Sequence, residues 1–342
     1  MRKIIFALLC AGLLFSTSAI AQAPDHTLIR KTVIGGEGGW DYLMVDSENR
    51  RLYVSHSTQV EVLNADTHEK TGAITGLKGV HGIAVVPKKG RGITTNGRTN
   101  TATIFDLKTL KPITEITTGK NPDALLYDSF SDRVFVFNHS GGDATVIDIS
   151  TGEVTGTVVL GGEGVEAGVS DEKGTIFVNL EDVNEVVSFD AKTLVVTNRW
   201  KIPGEEPTGI AMDRETHRLF TVCHSETMIV LDSDNGKVIA QLPIGKRVDG
   251  IVFDPSTKLA YTSNGEGSIS VIKENSANEF KVLETIKTEV GARTIAFDSK
   301  TKHVFVSSAQ YGPVPAATKE MPNPRPPVIP GTFMILEFGK IK

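Results

Sequence analysis

Apolar and polar positions in this chain alternate in short runs, each closed by a turn, from residue 27 almost to the C-terminus. One unit shows the pattern. Asp249-Gly-Ile-Val-Phe leads into the turn Asp254-Pro-Ser-Thr, and Leu259-Ala-Tyr-Thr-Ser-Asn, Ser268-Ile-Ser-Val-Ile-Lys and Val282-Leu-Glu-Thr-Ile follow. Such runs are rich in β-branched residues and partly alternate with period two, so each predicts a short strand. Turns such as Asp148-Ile-Ser-Thr-Gly and Asp232-Ser-Asp-Asn-Gly put Asp and Gly where local hydrogen bonds and positive φ are needed. No stretch carries the apolar period of a long amphipathic helix. The class is all-β.

Aligned on itself, the chain divides into seven such units. Their opening strands are Trp40 to Asp46, Val80 to Val86, Pro122 to Asp128, Val165 to Asp171, Pro207 to Asp213, Val248 to Asp254 and Ala292 to Asp298. Their second residues are 40, 42, 43, 42, 41 and 44 positions apart. Four strands per unit at that period predict a seven-bladed β-propeller. The seventh unit ends with its third strand, Phe333 to Phe338, whereas Thr27 to Ile34, ahead of the first unit, has the composition of a fourth. Pairing these two segments would complete the last blade, close the ring and cover the terminal edges.

The second strands include Leu52-Tyr-Val-Ser-His56, Val134-Phe-Val-Phe-Asn138, Ile176-Phe-Val-Asn179, Ala260-Tyr-Thr-Ser-Asn264 and Val304-Phe-Val-Ser-Ser308. With their flanking Asp turns they resemble the YVTN family of β-propeller repeats, and within it the exported YncE-like proteins. The resemblance covers nearly all of the chain after residue 23. It departs from the consensus where Cys223 replaces the usual Asn and where the fourth repeat is two residues shorter between Asp171 and Asn179. It implies the fold and leaves the activity open, because propellers host many functions.

The N-terminus changes the setting. Arg2 and Lys3 precede an apolar run, Ile4 to Phe15, and a small-residue tail, Ser16 to Ala23. This reads as a signal peptide, residues 1–23, with cleavage after Ala21 or Ala23 and a propeller over residues 24–342. The run is too short to span a membrane, and Leu9 stands where a lipobox at Cys10 needs a small residue. A periplasmic or secreted protein is expected. Loss of Arg2 and Lys3 takes the net charge from −5 to −7, which argues against nucleic acid as a partner. Only Cys223 remains, so no intramolecular disulfide forms.

Candidate chemistry follows from the repeat register. The second position of each opening strand is expected to ring the top of the central channel: Asp41, His81, Asp123, Glu166, Thr208, Asp249 and Arg293. Folding does not require charge there, so the ring is a candidate ligand site, against the plainer reading of a solvated polar channel. A second set ends the second strands: His56, Asn96, Asn138, Asn179, Cys223, Asn264 and Ser308, with His139 and His224 beside it. Its asparagines read as turn caps, and Cys223 as buried and inert. A proline-rich insert, Gln310 to Gly331, belongs on the same face and brings Tyr311 and Arg325 to the mouth. The leading reading is a non-catalytic ligand-binding or interaction propeller taking a small molecule, a divalent ion or a protein partner. The rival is a metal-assisted hydrolase or lyase that uses Asp41, Asp123, Glu166 and Asp249, with His81 as acid or base. No motif names a cofactor.

Overall fold

The β-branched runs and Asp turns pair within each repeat into seven four-stranded antiparallel sheets, seen in a computed structural model that describes residues 25–319, 321, 322 and 324–340. The expected leader, residues 1–23, lies outside the described residues. Apart from one 3-10 turn, Pro87–Lys89, the regular structure of the described residues is all strand. Each repeat contributes one blade, its first strand innermost.

Five opening strands run as the sequence predicts. The fourth, Val165–Ser170, stops one residue short, and the seventh starts late, at Ile295. Arg293 and Thr294 lie outside the ladder, and their polar atoms bond to the neighbouring blades. The Arg293 carbonyl accepts from Ser263 of blade 6, and the Thr294 hydroxyl donates to the Asp41 carbonyl of blade 1 at 2.6 Å. The outer hairpin of blade 6 is longer than expected, Ser268–Ser276 with Glu279–Lys287. Arg218 of blade 5 holds its tip through the Ala277 carbonyl, 2.6 Å away.

The ring closes as the strand count requires. His26–Val33 pairs antiparallel with Met334–Lys340 and completes the last blade. Imidazole–carboxylate pairs fasten this seam to both neighbours. His26 Nδ1 lies 2.5 Å from Glu284 of blade 6, and its Nε2 lies 3.1 Å from the Tyr261 hydroxyl. Glu337 takes His303 at 2.7 Å and His68 of blade 1 at 3.2 Å. Burial opposes ionisation of Glu337, but these hydrogen bonds outweigh it and hold the carboxyl down at about 2.

Stability comes from the faces between blades. Seven apolar clusters fill the seven interfaces. Phe135, Phe137 and Phe189 lie between blades 3 and 4, for example, and Leu52, Phe305 and Phe333 between blades 7 and 1. Each fully buried large side chain contributes roughly 1.5–3 kcal/mol.

Candidate functional site: a charged arc at the channel mouth

The local backbone explains why the ring positions face the channel. In six opening strands the register to the second strand shifts just after the first residue: between Trp40 and Leu43, Val80 and Ile83, Pro122 and Leu125, Val165 and Gly168, Pro207 and Ile210, and Val248 and Gly250. Such bulges re-aim side chains, and the re-aimed residues are the ring positions. Polar side chains of the second strands satisfy the backbone groups this frees. Ser55 Oγ accepts from the Asp41 amide at 2.9 Å, and Thr95 Oγ1 accepts from the Gly82 amide at 2.8 Å and donates to the Asp123 carbonyl at 2.5 Å. Asn179 donates to the carbonyls of Thr208 at 2.8 Å and Gly209 at 3.1 Å.

The charged ring side chains then meet in sequence around the mouth. Arg293 pairs with Asp249 on one side and with Asp41 at 3.2 Å on the other. His81 Nδ1 lies 2.6 Å from Asp41 and 3.2 Å from Asp123. His139, at the end of a second strand, enters the same line 3.0 Å from Glu166. The result is an arc of alternating sign over blades 6, 7, 1, 2, 3 and 4. Thr208 of blade 5 interrupts it, buried and bonded to the carbonyls of Val222 and Val248.

Two triads in this arc could each hold a metal ion: Asp41, His81 and Asp123, and Asp123, His139 and Glu166. The donor atoms of each lie within 4.8 Å of one another, and Asp123 belongs to both. Burial, then the Asp41 charge, pushes the Asp123 carboxyl up to about 6. Burial likewise pushes Glu166 up to about 7. The Glu166 hydrogen bond raises His139 to about 9 against the cost of burial. Burial also opposes the charge of His81, but its bond to Asp41 and the nearby carboxylates raise it overall.

One channel residue escaped the sequence reading. Tyr42 of blade 1 packs against the apolar cluster of blades 3 and 4, so its ring crosses the channel under the arc. Burial and the charges of Asp123, Glu166 and Asp41 hold its phenol protonated well above the usual range. A signal was present. The equivalent residues of the other repeats are Gly82, Ala124, Ala167, Gly209, Gly250 and Thr294, all small.

The remaining candidates lie elsewhere. His56 is buried against Phe333, ring centroids 4.2 Å apart, with Glu61 3.4 Å from Nδ1. Asn96, Asn138 and Asn264 bond hydroxyls of their own third strands, as structural side chains do. Cys223 is buried, and burial pushes its thiol up to about 12. His224 is exposed beside the arc, 3.0 Å from Glu206 and 3.8 Å from Glu181. Both glutamates line an open acidic cavity of about 510 Å³ that reaches His139. Tyr311 leans on Trp40 at the mouth, ring centroids 6.1 Å apart. The insert folds back through an isolated bridge between Tyr311 and Val328, where Gly312 N–H also donates to the Pro327 carbonyl. Arg325 is exposed and makes no hydrogen bond or ion pair among the described residues. A cavity of about 360 Å³ between blades 4 and 5, lined by Asp171, Phe177, Met212 and His217, lies at the Asp-turn end, away from the arc.

No family model matches the sequence. Over 217 residues the chain is 23% identical to the uncharacterized protein YncE of Salmonella typhimurium, covering 63% of this chain and 49% of that protein. YncE of Salmonella typhi matches to the same extent. The chain is a seven-bladed β-propeller with weak sequence similarity to YncE. It spans about half the length of the curated relatives it matches. Among solved structures, a chain of a mitotic checkpoint complex aligns with TM-score 0.75 and 13% identity, covering 100% of this chain and 99% of that one. U3-55K aligns at 0.74 and 10%, covering 92% and 99%. The hydrazine synthase of Kuenenia stuttgartiensis aligns at 0.68 and 16%, covering 78% and 92%. These likenesses share the fold of the YncE-like chain and carry no chemistry to it. No helix among its described residues is long and apolar enough to cross a membrane.

Proposed function

We propose that this YncE-like propeller is a non-catalytic binding protein whose arc takes a small cationic ligand or a hard divalent ion at the top of the channel. The observation that carries the reading is Asp123, a largely buried carboxylate shared by two triads of convergent donor atoms. Oxygen-rich donor sets favour Ca²⁺ or Mg²⁺ over softer metals. Arg293 is already held by Asp249 and Asp41, so the arc offers an anion little. The metal-assisted hydrolase or lyase reading stands second, because its acid or base, His81, is already engaged by Asp41 and Asp123. Export to the periplasm or beyond rests on the composition of residues 1–23. Fractionation of cells making the chain with and without residues 2–23 tests it, and cytoplasmic retention of both forms counts against it.

Thermal shift against divalent ions and small organic cations tests the binding reading. Asp123→Asn with Glu166→Gln keeps size and removes charge, so the fold is expected to survive while affinity falls about tenfold or more, some 1.4 kcal/mol. Identical shifts in both proteins across the whole panel would make the arc a solvated channel lining.

A further inference from the structure

The residue after each arc position sits where the seven inner strands converge, and in six repeats it is small. The neighbouring blade gives the reason. A Cβ on Gly82 would come within 2.7 Å of the Asp123 carbonyl, one on Gly209 within 3.0 Å of the Asp249 carbonyl, and one on Gly250 within 3.1 Å of the Ile295 amide. The next blade's backbone closes on these glycines, whereas Tyr42 carries a large side chain at the same position. Tyr42 reaches from blade 1, past blade 2, to the cluster of blades 3 and 4 that contains Ala124 and Val165.

We propose that Tyr42 is the floor of the binding site: it stops the channel directly beneath the arc, so the site is a cup open only to the top face, and it admits a compact cation while refusing a thin chain that would thread the ring. The identity of the occupant rests on the binding reading above, but the floor does not. Removing it converts the cup into a tube and changes which cations fit.

The fold tolerates Ala and Gly at this position in five other repeats, so Tyr42→Ala is a usable variant, and Tyr42→Phe keeps the plug without the hydroxyl. Crystal structures of the parent and Tyr42→Ala proteins decide the floor without any ligand. Ordered water should stop at Tyr42 in the parent and run through the channel in the variant, and a continuous water column past Tyr42 in the parent overturns the proposal. Calorimetry with Ca²⁺ and with spermine, a thin polycation, decides the selectivity. Spermine affinity should rise about tenfold in Tyr42→Ala and stay at the parent level in Tyr42→Phe, while Ca²⁺ affinity changes less. Equal spermine affinity in the parent and Tyr42→Ala overturns the selectivity. If neither probe binds any of the three proteins, the cation reading of the arc and the selectivity drawn from it both fall, and the water column still decides the floor.

Discussion

Asp123 lies between His81 and the pair of His139 with Glu166, and burial has moved its carboxyl and that of Glu166 up to about 6 and about 7. Both folded values stand above the ordinary carboxylate range, which fixes the sign of their effect. Their contribution to stability is complete below about pH 4 and is lost as pH rises through 6 to 7. His139, raised to about 9, contributes below about 6.5 and loses that contribution as pH climbs through 9. Urea unfolding of the parent and of Asp123→Asn with Glu166→Gln at pH 4 and pH 7.5 should therefore diverge. The variant is expected to lose less stability on going to the higher pH, by about 1–3 kcal/mol. Equal losses would show that the two carboxyls are not buried as described. The repeat register made the ring residues legible, because equivalent positions share one backbone environment. That same reasoning failed for His56: its strand position says top face, but only the packing of Phe333 from the far end of the chain shows that the imidazole is covered. Tyr42 was legible only by comparing the position after the ring across all seven repeats.

At the scale of the element, period-two patterning and Asp turns located the strands, and most ends agree to within a residue or two. The bulges were not legible, since a shift of pairing depends on hydroxyl and amide groups of the adjacent strand, such as Ser55, Thr95 and Asn179, and leaves no local mark. The seam was legible as a strand count, but its fastening by His26, His68 and His303 was not. Those imidazoles meet their carboxylates only once the ring is closed. Glu337 is the seam's central group. Its carboxyl is depressed to about 2, so its contribution is present above about pH 4.5 and is lost as pH falls toward 2. Glu337→Ala leaves two imidazoles without their partner, and chemical denaturation at neutral pH should show a loss of about 3–5 kcal/mol. Deleting residues 24–35 should go further, exposing the Met334–Lys340 edge and causing aggregation. A truncated chain that unfolds like the parent would refute the seam.

Across the whole molecule, seven equivalent interfaces carry the stability, which leaves the mouth of the channel free to vary. Six of seven ring positions there are charged, and a seventh charge, His139, joins them from a neighbouring strand. Their alternation in sign around the arc is a property of the closed ring: Arg293 and Asp41 lie 252 residues apart in the chain, yet sit side by side. The repeat period made the ring legible, but not its occupant, because the likeness to YncE and to other propellers speaks of the fold. The proposed function of the arc is to bind a compact cation through Asp123 and Glu166. The most direct test is a calorimetric titration of Ca²⁺ into the metal-stripped parent and into Asp123→Asn with Glu166→Gln, both first shown to be folded. Saturable binding at one site per chain is expected in the parent, weakened about tenfold or more in the variant. No heat in the parent, or the same isotherm in both proteins, would contradict it.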